Sequence, residues 1–397
     1  MTGTRRAPGP SAWSLDPVIE WVLGEGRRAP DIDDLTARLG QKLLAAGAPL
    51  WRLRLSMRTL HPLTTARTAV WERGLAASTP RASPHGLESR SGYVGSPLEV
   101  ISRTGLPFRK RLSEPLTEAD HNVLHELKAR GATDYLGFPL PYSDGGSAIL
   151  ALTGDRDSGF ADADLDNFET LALVLAPLIE VIHARQVSRA IAEAYLGLRT
   201  GRRVLDGSIT RGDIETIEAA IFISDIRDWT GLNNRMPAVD ALALANRYFD
   251  LIVDAVDGNA GEILKFMGDG VLAIFPTDSH AGDAARACQS ALDASLDAVR
   301  ALSDPDPPLG ARFGIGLHFG KVLYGNIGAR ERLDFTVLGR AVNIAARIEG
   351  QCARLDRPIL FSREIADRLP EQSVLAGEAL LKGSETATGL YAPSEPH

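Results

Sequence analysis

Near its start the chain places apolar residues at intervals of three and four. VIEWVL, after Asp16, opens a helical pattern, and a second runs from Asp31 through Leu35, Leu39, Leu43 and Leu44 to the stop signal Gly47-Ala48-Pro49. The period then changes to two. LWRLRLSMRTL alternates apolar with basic residues, the mark of a half-buried strand, and TAVWERG predicts a second strand. DYLGFPLPY and SAILALTG flank Ser143-Asp144-Gly145-Gly146, which predicts a hairpin. From Asp164 the positions Leu165, Phe168, Ala172, Leu175, Ile179 and Ile182 step by three or four, and the pattern resumes through Ile191 and Leu198. This predicts one long dimerising connector helix, kinked at Pro177 where a backbone donor is lost.

In the second half, the apolar run AAIFISDI ends at Asp225, and Arg227-Asp228-Trp229-Thr230-Gly231 leads to a helical stretch from about Pro237. ILKFMGDGVLAIF reads as a hairpin with Asp269 at its tip, where Asp-Gly favours a type I′ turn. RFGIGLHFGKVLYGNIG reads as strand, turn, strand, and SDPDPP, Ser303 to Pro308, as an exposed turn-rich insertion before it. In RERLDFTVLGRAVNIAARIEG, Gly339 opens a helix on which Asn343 and Arg347, four residues apart, share a face beside apolar Val342, Ala346 and Ile348.

Two carboxylates delivered to neighbouring strand ends, Asp225 and Asp269, repel each other unless a cation lies between them. Hard oxygen ligands of this type suit Mg²⁺ or Mn²⁺, and a metal-bound phosphate is the natural third party. Taken singly, Asp269 is a turn residue, Asp225 a helix cap and Lys265 a strand lysine whose stem packs while its head reaches water. Arg347 is then a partner for Glu349 or a surface acid, and Asn343 a loop cap. Those readings are independent of one another.

Composition narrows the picture further. With 397 residues, 44% hydrophobic and 24% charged, the chain has material for two or three globular domains. A formal charge of -8 leaves no basic footprint for duplex binding, so nucleic acid is not an expected partner. Cys288 and Cys352 stand far apart, without disulfide or zinc spacing, and the histidines show no ligand spacing. No apolar segment follows the N-terminal arginines and no run is long enough to span a bilayer, so a soluble, cytoplasmic protein is expected.

FISDIRDWTGL, ILKFMGDGVLAIF and DFTVLGRAVNIAARIE, in that order, resemble the catalytic domain of class III nucleotidyl cyclases, the adenylate and guanylate cyclase family, across roughly residues 214 to 394. The resemblance implies an α+β protein whose ferredoxin-like, palm-like C-terminal domain pairs head to tail as a homodimer, with active sites across the interface. The first half is similar in pattern to GAF-type sensory domains, α+β units that precede a signalling helix. No cysteine precedes Cys288, which excludes a thioether-linked bilin there. The expected organisation is a flexible tail over residues 1–12, a GAF-like domain over 13–160, a connector helix over 161–200 and the cyclase domain over 201–397.

Carried over by motif, the resemblance makes Asp225, Asp269 and the carbonyl of Ile226 ligands of two ions, Mg²⁺ or Mn²⁺. Lys265 and Thr336 become the base-reading pair, Asn343 orients the ribose, Arg347 stabilises the pentavalent phosphorus, and Lys382 reaches the terminal phosphates. Backbone amides of the loop through Trp229 and Thr230 would cradle the triphosphate. The family has Gly-Phe where Asp228-Trp229 stands, and a carboxylate there could repel phosphate, reach a metal or pair with Arg227. Attack of the ribose 3′-hydroxyl on the α-phosphate needs metal activation and charge dispersal. Adenine offers an acceptor at N1 and a donor at its amino group, matching a lysine and a threonine hydroxyl, so ATP is the expected substrate and 3′,5′-cyclic AMP the product. Threonine at 336 is also similar to the subgroup containing bicarbonate-responsive cyclases. The alternatives are a guanylate or relaxed-specificity cyclase and a catalytically silent nucleotide-binding dimer; the absence of a GGDEF-like turn disfavours a diguanylate cyclase. The N-terminal domain would answer to a small-molecule or protein signal.

Overall fold

The computed structural model describes residues 13–59, 64–84, 86, 89–210, 212–303, 311–330, 332–382 and 386–394. The expected tail over 1–12, and all of the SDPDPP insertion but Ser303, lie outside them. The chain divides into two compact units, Met1–Ile191 and Ala192–His397. That division differs from the expected boundaries at 160 and 200, for reasons that lie in the connector helix. Among the described residues no helix is long and apolar enough to cross a membrane.

In the first unit, α1 (Asp16–Leu23) and α2 (Ile32–Ala45) form where the periodicity predicts. Asp31 caps α2 by accepting from the backbone amides of Asp33 and Asp34, both at 2.9 Å, and Leu35, Leu39 and Leu43 bury its inner face. Six strands follow: β1 (Arg52–Arg58), β2 (Thr64–Glu72), β3 (Thr79–Pro84), β4 (Phe108–Arg111), β5 (Asp134–Pro141) and β6 (Ser147–Gly154). They make one antiparallel sheet in the order β3-β2-β1-β6-β5-β4. Leu53, Leu55 and Met57 on β1 point into the main core, together with Leu150 and Leu152 of β6. The opposite face, carrying Arg52, Arg54 and Ser56, is covered by α3 (Pro97–Thr104) and α4 (Asn122–Ala129), so the alternation of β1 does not put its basic residues in water.

The long helix α5 (Asp162–Leu196) runs unbroken through Pro177. Its stripe Phe168, Leu171, Ala172, Leu175, Ile179 and Ile182 is buried in the core of the first unit. The positions that predicted a dimer seam are therefore spent within the chain, and the exposed apolar residues Leu173, Val181, Ile191 and Tyr195 are left over. The helix does not continue through Leu198. Gly197 takes φ 82°, a left-handed value open to glycine, and a separate helix α6 (Leu198–Leu205) begins.

In the second unit the sheet is built on β7 (Ile214–Ile226), β8 (Glu262–Met267), β9 (Gly270–Pro276), β10 (Phe313–Gly328), β12 (Ile359–Ser362), β13 (Ser373–Ala379) and β14 (Thr388–Pro393). Its order is β13-β14-β12-β10-β7-β9-β8, with β11 (Leu333–Leu338) paired to β10. Ala220 and Phe222 face α8 (Ala238–Gly258) and α9 (Ala284–Ser303); Ala219, Ile221 and Ile223 face α10 (Arg340–Glu349). RFGIGLHFGKVLYGNIG is one continuous strand, not two, because β7 pairs with it from Phe313↔Ile226 to Gly325↔Ile214. Gly320, read as part of a turn, instead lets α10 approach: a Cβ there would meet the Ala341 Cβ at 3.0 Å.

Thr200 on α6 donates to the buried carboxylate of Glu262 on β8 at 2.8 Å, and the Tyr324 hydroxyl on β10 donates to the same carboxylate at 3.0 Å. The start of this unit is thus fastened to its edge strand.

Candidate active site

Asp225 lies at the end of β7, opposite Gly270 on β9 and Gly314 on β10. Met267 pairs with Gly270, so Gly268 and Asp269 alone make the turn of the β8–β9 hairpin. Only Gly268 is left-handed, at φ 69°, which is the type II′ pattern with glycine first and corrects the expected type I′ turn. The turn brings Asp269 beside Asp225, with no side chain at Gly270 between them.

Burial, then the neighbouring Asp269 carboxyl and the charge of Glu349, push the Asp225 carboxyl up to about 7, against a backbone hydrogen bond from Ile226. Asp225 Oδ1 is buried without a hydrogen-bond partner. Two acids forced together with an orphaned oxygen are a donor set that a divalent cation satisfies. Ile226 keeps its side chain in the core and presents only its backbone at the carboxyl. Glu349, at the end of α10, is a third acid against this pair: burial raises its pKa and Asp269 raises it further, with Arg227 opposing. Reading the sequence offered Glu349 only as an ion partner of Arg347, and no such pair forms among the described residues. The signal that could have found it is the row of glycines at 314 and 316, since a Cβ on Gly314 would lie 2.6 Å from Glu349 Oε1. Among the described residues no group of three or more acidic, histidine or cysteine side chains has metal-holding geometry, so protein carboxylates could fill only part of an ion's shell.

Lys265 on β8 reaches Asp334 on β11, Nζ to Oδ2 3.6 Å. Thr336 lies two residues further along β11, hence on the same face as Asp334. Its side chain is buried and the hydroxyl has no partner. Asn343 is exposed and Arg347 half-buried on α10, and neither makes a side-chain hydrogen bond or ion pair among the described residues. Asp225 and Asp269 therefore come together, and Lys265 reaches the strand that carries Thr336, while among the described residues the Asn343 amide and the Arg347 guanidinium hold no partner.

Trp229 packs half-buried on the core, so only its backbone is free for a ligand, and Thr230 is exposed. Both open α7 (Trp229–Arg235), whose first turn has no side-chain cap. Asp228, at φ 55°, folds its carboxylate onto Arg235 at 2.9 Å, and not onto Arg227, which donates to the Arg357 carbonyl at 2.7 Å. The charge of Asp228 is thereby partly answered. Lys382 is exposed between β13 and β14, at the opposite edge of the sheet order from the β8–β9 hairpin, so the structure does not place it with the aspartates.

Residues 214–390, which hold the mixed sheet, the paired aspartates and the helix with Asn343 and Arg347, match the family described as adenylate and guanylate cyclase catalytic domain. That match lies within the second unit. Over 406 aligned residues the chain is 30% identical to Adenylate cyclase 1 of Rhizobium meliloti, covering 95% of this chain and 60% of that protein. It is 31% identical over 191 residues to an adenylate cyclase of Anabaena cylindrica, covering 46% of this chain and 38% of the relative. The solved structure of a bacterial light-regulated adenylyl cyclase is 29% identical, with a TM-score of 0.39, over 45% of this chain and 91% of that one. The chain thus spans less than two thirds of the length of these curated relatives.

Proposed function

We propose that the chain is an adenylate cyclase that converts ATP to 3′,5′-cyclic AMP and pyrophosphate at sites shared between two copies of itself. The observation that carries this reading is the division of labour on one chain. Asp225 and Asp269 are pressed together with an unsatisfied oxygen, while Asn343 and Arg347 stand unpartnered on α10. A symmetric pair would give each set its complement. Phe266 and Met267 beside the hairpin tip and Leu338 beside the base-reading strand are exposed although apolar, which supports a covered surface there.

In this reading Asp225, Asp269 and the carbonyl of Ile226 hold two divalent cations, Mg²⁺ or Mn²⁺. When bound, these ions lower the pKa of the ribose hydroxyl and neutralise the triphosphate. Lys265 donates to adenine N1 and the Thr336 hydroxyl accepts from the amino group. Asn343 orients the ribose, and Arg347 places a planar cation at the phosphoryl oxygens, where charge grows in the transition state. The first-turn amides at Trp229 and Thr230 meet the phosphates. The first unit, an antiparallel sheet followed by a long helix, is read as a GAF-like sensory domain that regulates turnover. Relatives named adenylate cyclase support the substrate.

One observation favours a second reading. Asp334 sits 3.6 Å from Lys265, and a carboxylate there could accept from the N1–H and amino group of guanine, which would relax specificity. The deciding experiment is product formation from ATP and from GTP with Mg²⁺ or Mn²⁺, alongside Asp269→Ala. Cyclic AMP that disappears in the variant, and partly returns when Asp269→Ala is mixed with Arg347→Ala chains, is the expected result. Cyclic AMP retained by Asp269→Ala would remove the metal assignment, and no recovery in confirmed mixed dimers would remove the shared site.

A further inference from the structure

The basic face of β1 was expected in water, yet it lines a cavity of about 130 Å³ between the sheet of the first unit and helices α3 and α4. The wall combines three arginines, Arg52, Arg54 and Arg58, with hydroxyls and an apolar floor that includes Val123, Leu127 and Ile149, and it contains no acidic residue among those described. The three arginines are not equivalent. Arg52 is neutralised by Glu72 at 3.2 Å, and Arg58 is exposed. Arg54 donates through Nε to Ser56 Oγ at 3.0 Å, and that hydroxyl is itself bonded to Thr68 Oγ1 at 2.9 Å. Among the described residues no carboxylate lies in ion-pair reach of Arg54, so its terminal nitrogens have no acid to bind.

Burial lowers the Arg54 guanidinium to about 10, with Tyr135 opposing, and the group stays charged at neutral pH. A half-buried cation without a counter-charge carries a desolvation cost. It is accounted for if a ligand brings the missing charge, and a single unpaired guanidinium balances a single negative charge. A cavity of about 150 Å³ accommodates benzene, so this one takes a body of about that size. Arg54 faces Ala151 on one neighbouring strand and Val70 on the other, which leaves its fork open to the cavity.

We propose that this cavity binds a small organic monoanion, its carboxylate held by the planar fork of Arg54 and its apolar body lying on Leu127 and Ile149. A planar carboxylate matches the paired donors of a guanidinium, and the Ser56 hydroxyl keeps that fork in place through Nε. The assignment gives a chemical class to the signal proposed for the first unit. It does not depend on turnover, because binding is read directly on the protein, so either reading can fail without the other.

The test is calorimetric titration of the full chain with benzoate, phenylacetate and hexanoate, with benzamide as the neutral counterpart of benzoate and with inorganic phosphate. At least one carboxylate should bind and raise the unfolding temperature, benzamide should bind at least about tenfold more weakly, and Arg54→Met should lose the carboxylate by a similar factor. Arg54→Lys should retain part of the affinity. The ligand-free Arg54→Met protein should unfold at or above the wild-type temperature, since an uncompensated charge has been removed. The proposal is overturned if no carboxylate binds, if phosphate alone binds, if benzamide binds as tightly as benzoate, or if Arg54→Met binds like wild type. A clearly lower unfolding temperature of ligand-free Arg54→Met would also overturn it, by making Arg54 a structural residue.

Discussion

The Thr336 hydroxyl is buried with no partner, a state that costs about 1–3 kcal/mol unless a ligand supplies one. Lys265 is held by Asp334, two residues before Thr336 on the same strand. Thr336→Val removes the hydroxyl and keeps the shape. We expect the unfolding temperature to be unchanged or slightly higher, while kcat/KM for ATP falls up to about tenfold, the worth of one hydrogen bond. Loss of stability with unchanged ATP kinetics would make Thr336 a packing residue. At this scale the sequence was informative on the pairing of Asp225 with Asp269, because a hairpin tip and a strand end bring two carboxylates to one place. It was silent on Glu349, because a glutamate at a helix end looks like a surface acid until the fold brings it against Asp225 and Asp269. Arg54 was hidden in the same way, since period-two alternation says which residues share a face but not whether that face is covered.

Among the elements, hairpins were legible and long strands were not. Turn glycines at 145 and 268 announce themselves by φ values of 89° and 69°. Gly320 has the same letter for a different reason, close helix approach, and so suggested a turn inside β10. The parallel pairing of β10 with β12 is clamped by His318, whose Nδ1 lies 2.8 Å from Ser362 Oγ. Burial lowers the His318 pKa, and it outweighs Glu364 at 3.5 Å, while the charge of Arg340 acts with burial. The folded state thus holds fewer protons than the unfolded chain as pH drops below the usual histidine value of about 6.5, and stability contributed by neutral His318 is lost in that direction. Between about pH 7.5 and pH 5.5 the wild-type unfolding temperature should fall more steeply than that of His318→Asn. Parallel slopes would clear His318 of any part in the pH response.

Taken whole, the molecule divides at Ile191, inside the helix that periodicity drew as one connector. Periodicity shows that a helix has an apolar stripe and cannot name what the stripe meets. In α5 that stripe, from Phe168 to Ile182, belongs to the first unit, whereas the residues after Ile191 belong to the second. Gly197 was the one local sign of the change, and a single glycine within a helical pattern is tolerated too often to mark a boundary.

That border decides where the chain can be cut. A fragment of residues 201–397 looks like the whole catalytic half by motif, yet it discards Thr200 and strips Glu262 of one of its donors in a buried setting. A fragment beginning at Ala192 keeps the bond. The longer piece should be the more stable by about 1–3 kcal/mol in denaturant unfolding. Equal stability would mean that the Glu262 carboxylate finds its partner elsewhere. If the difference appears, low turnover in the shorter fragment would report a damaged edge strand beside Lys265 rather than the loss of an activating signal.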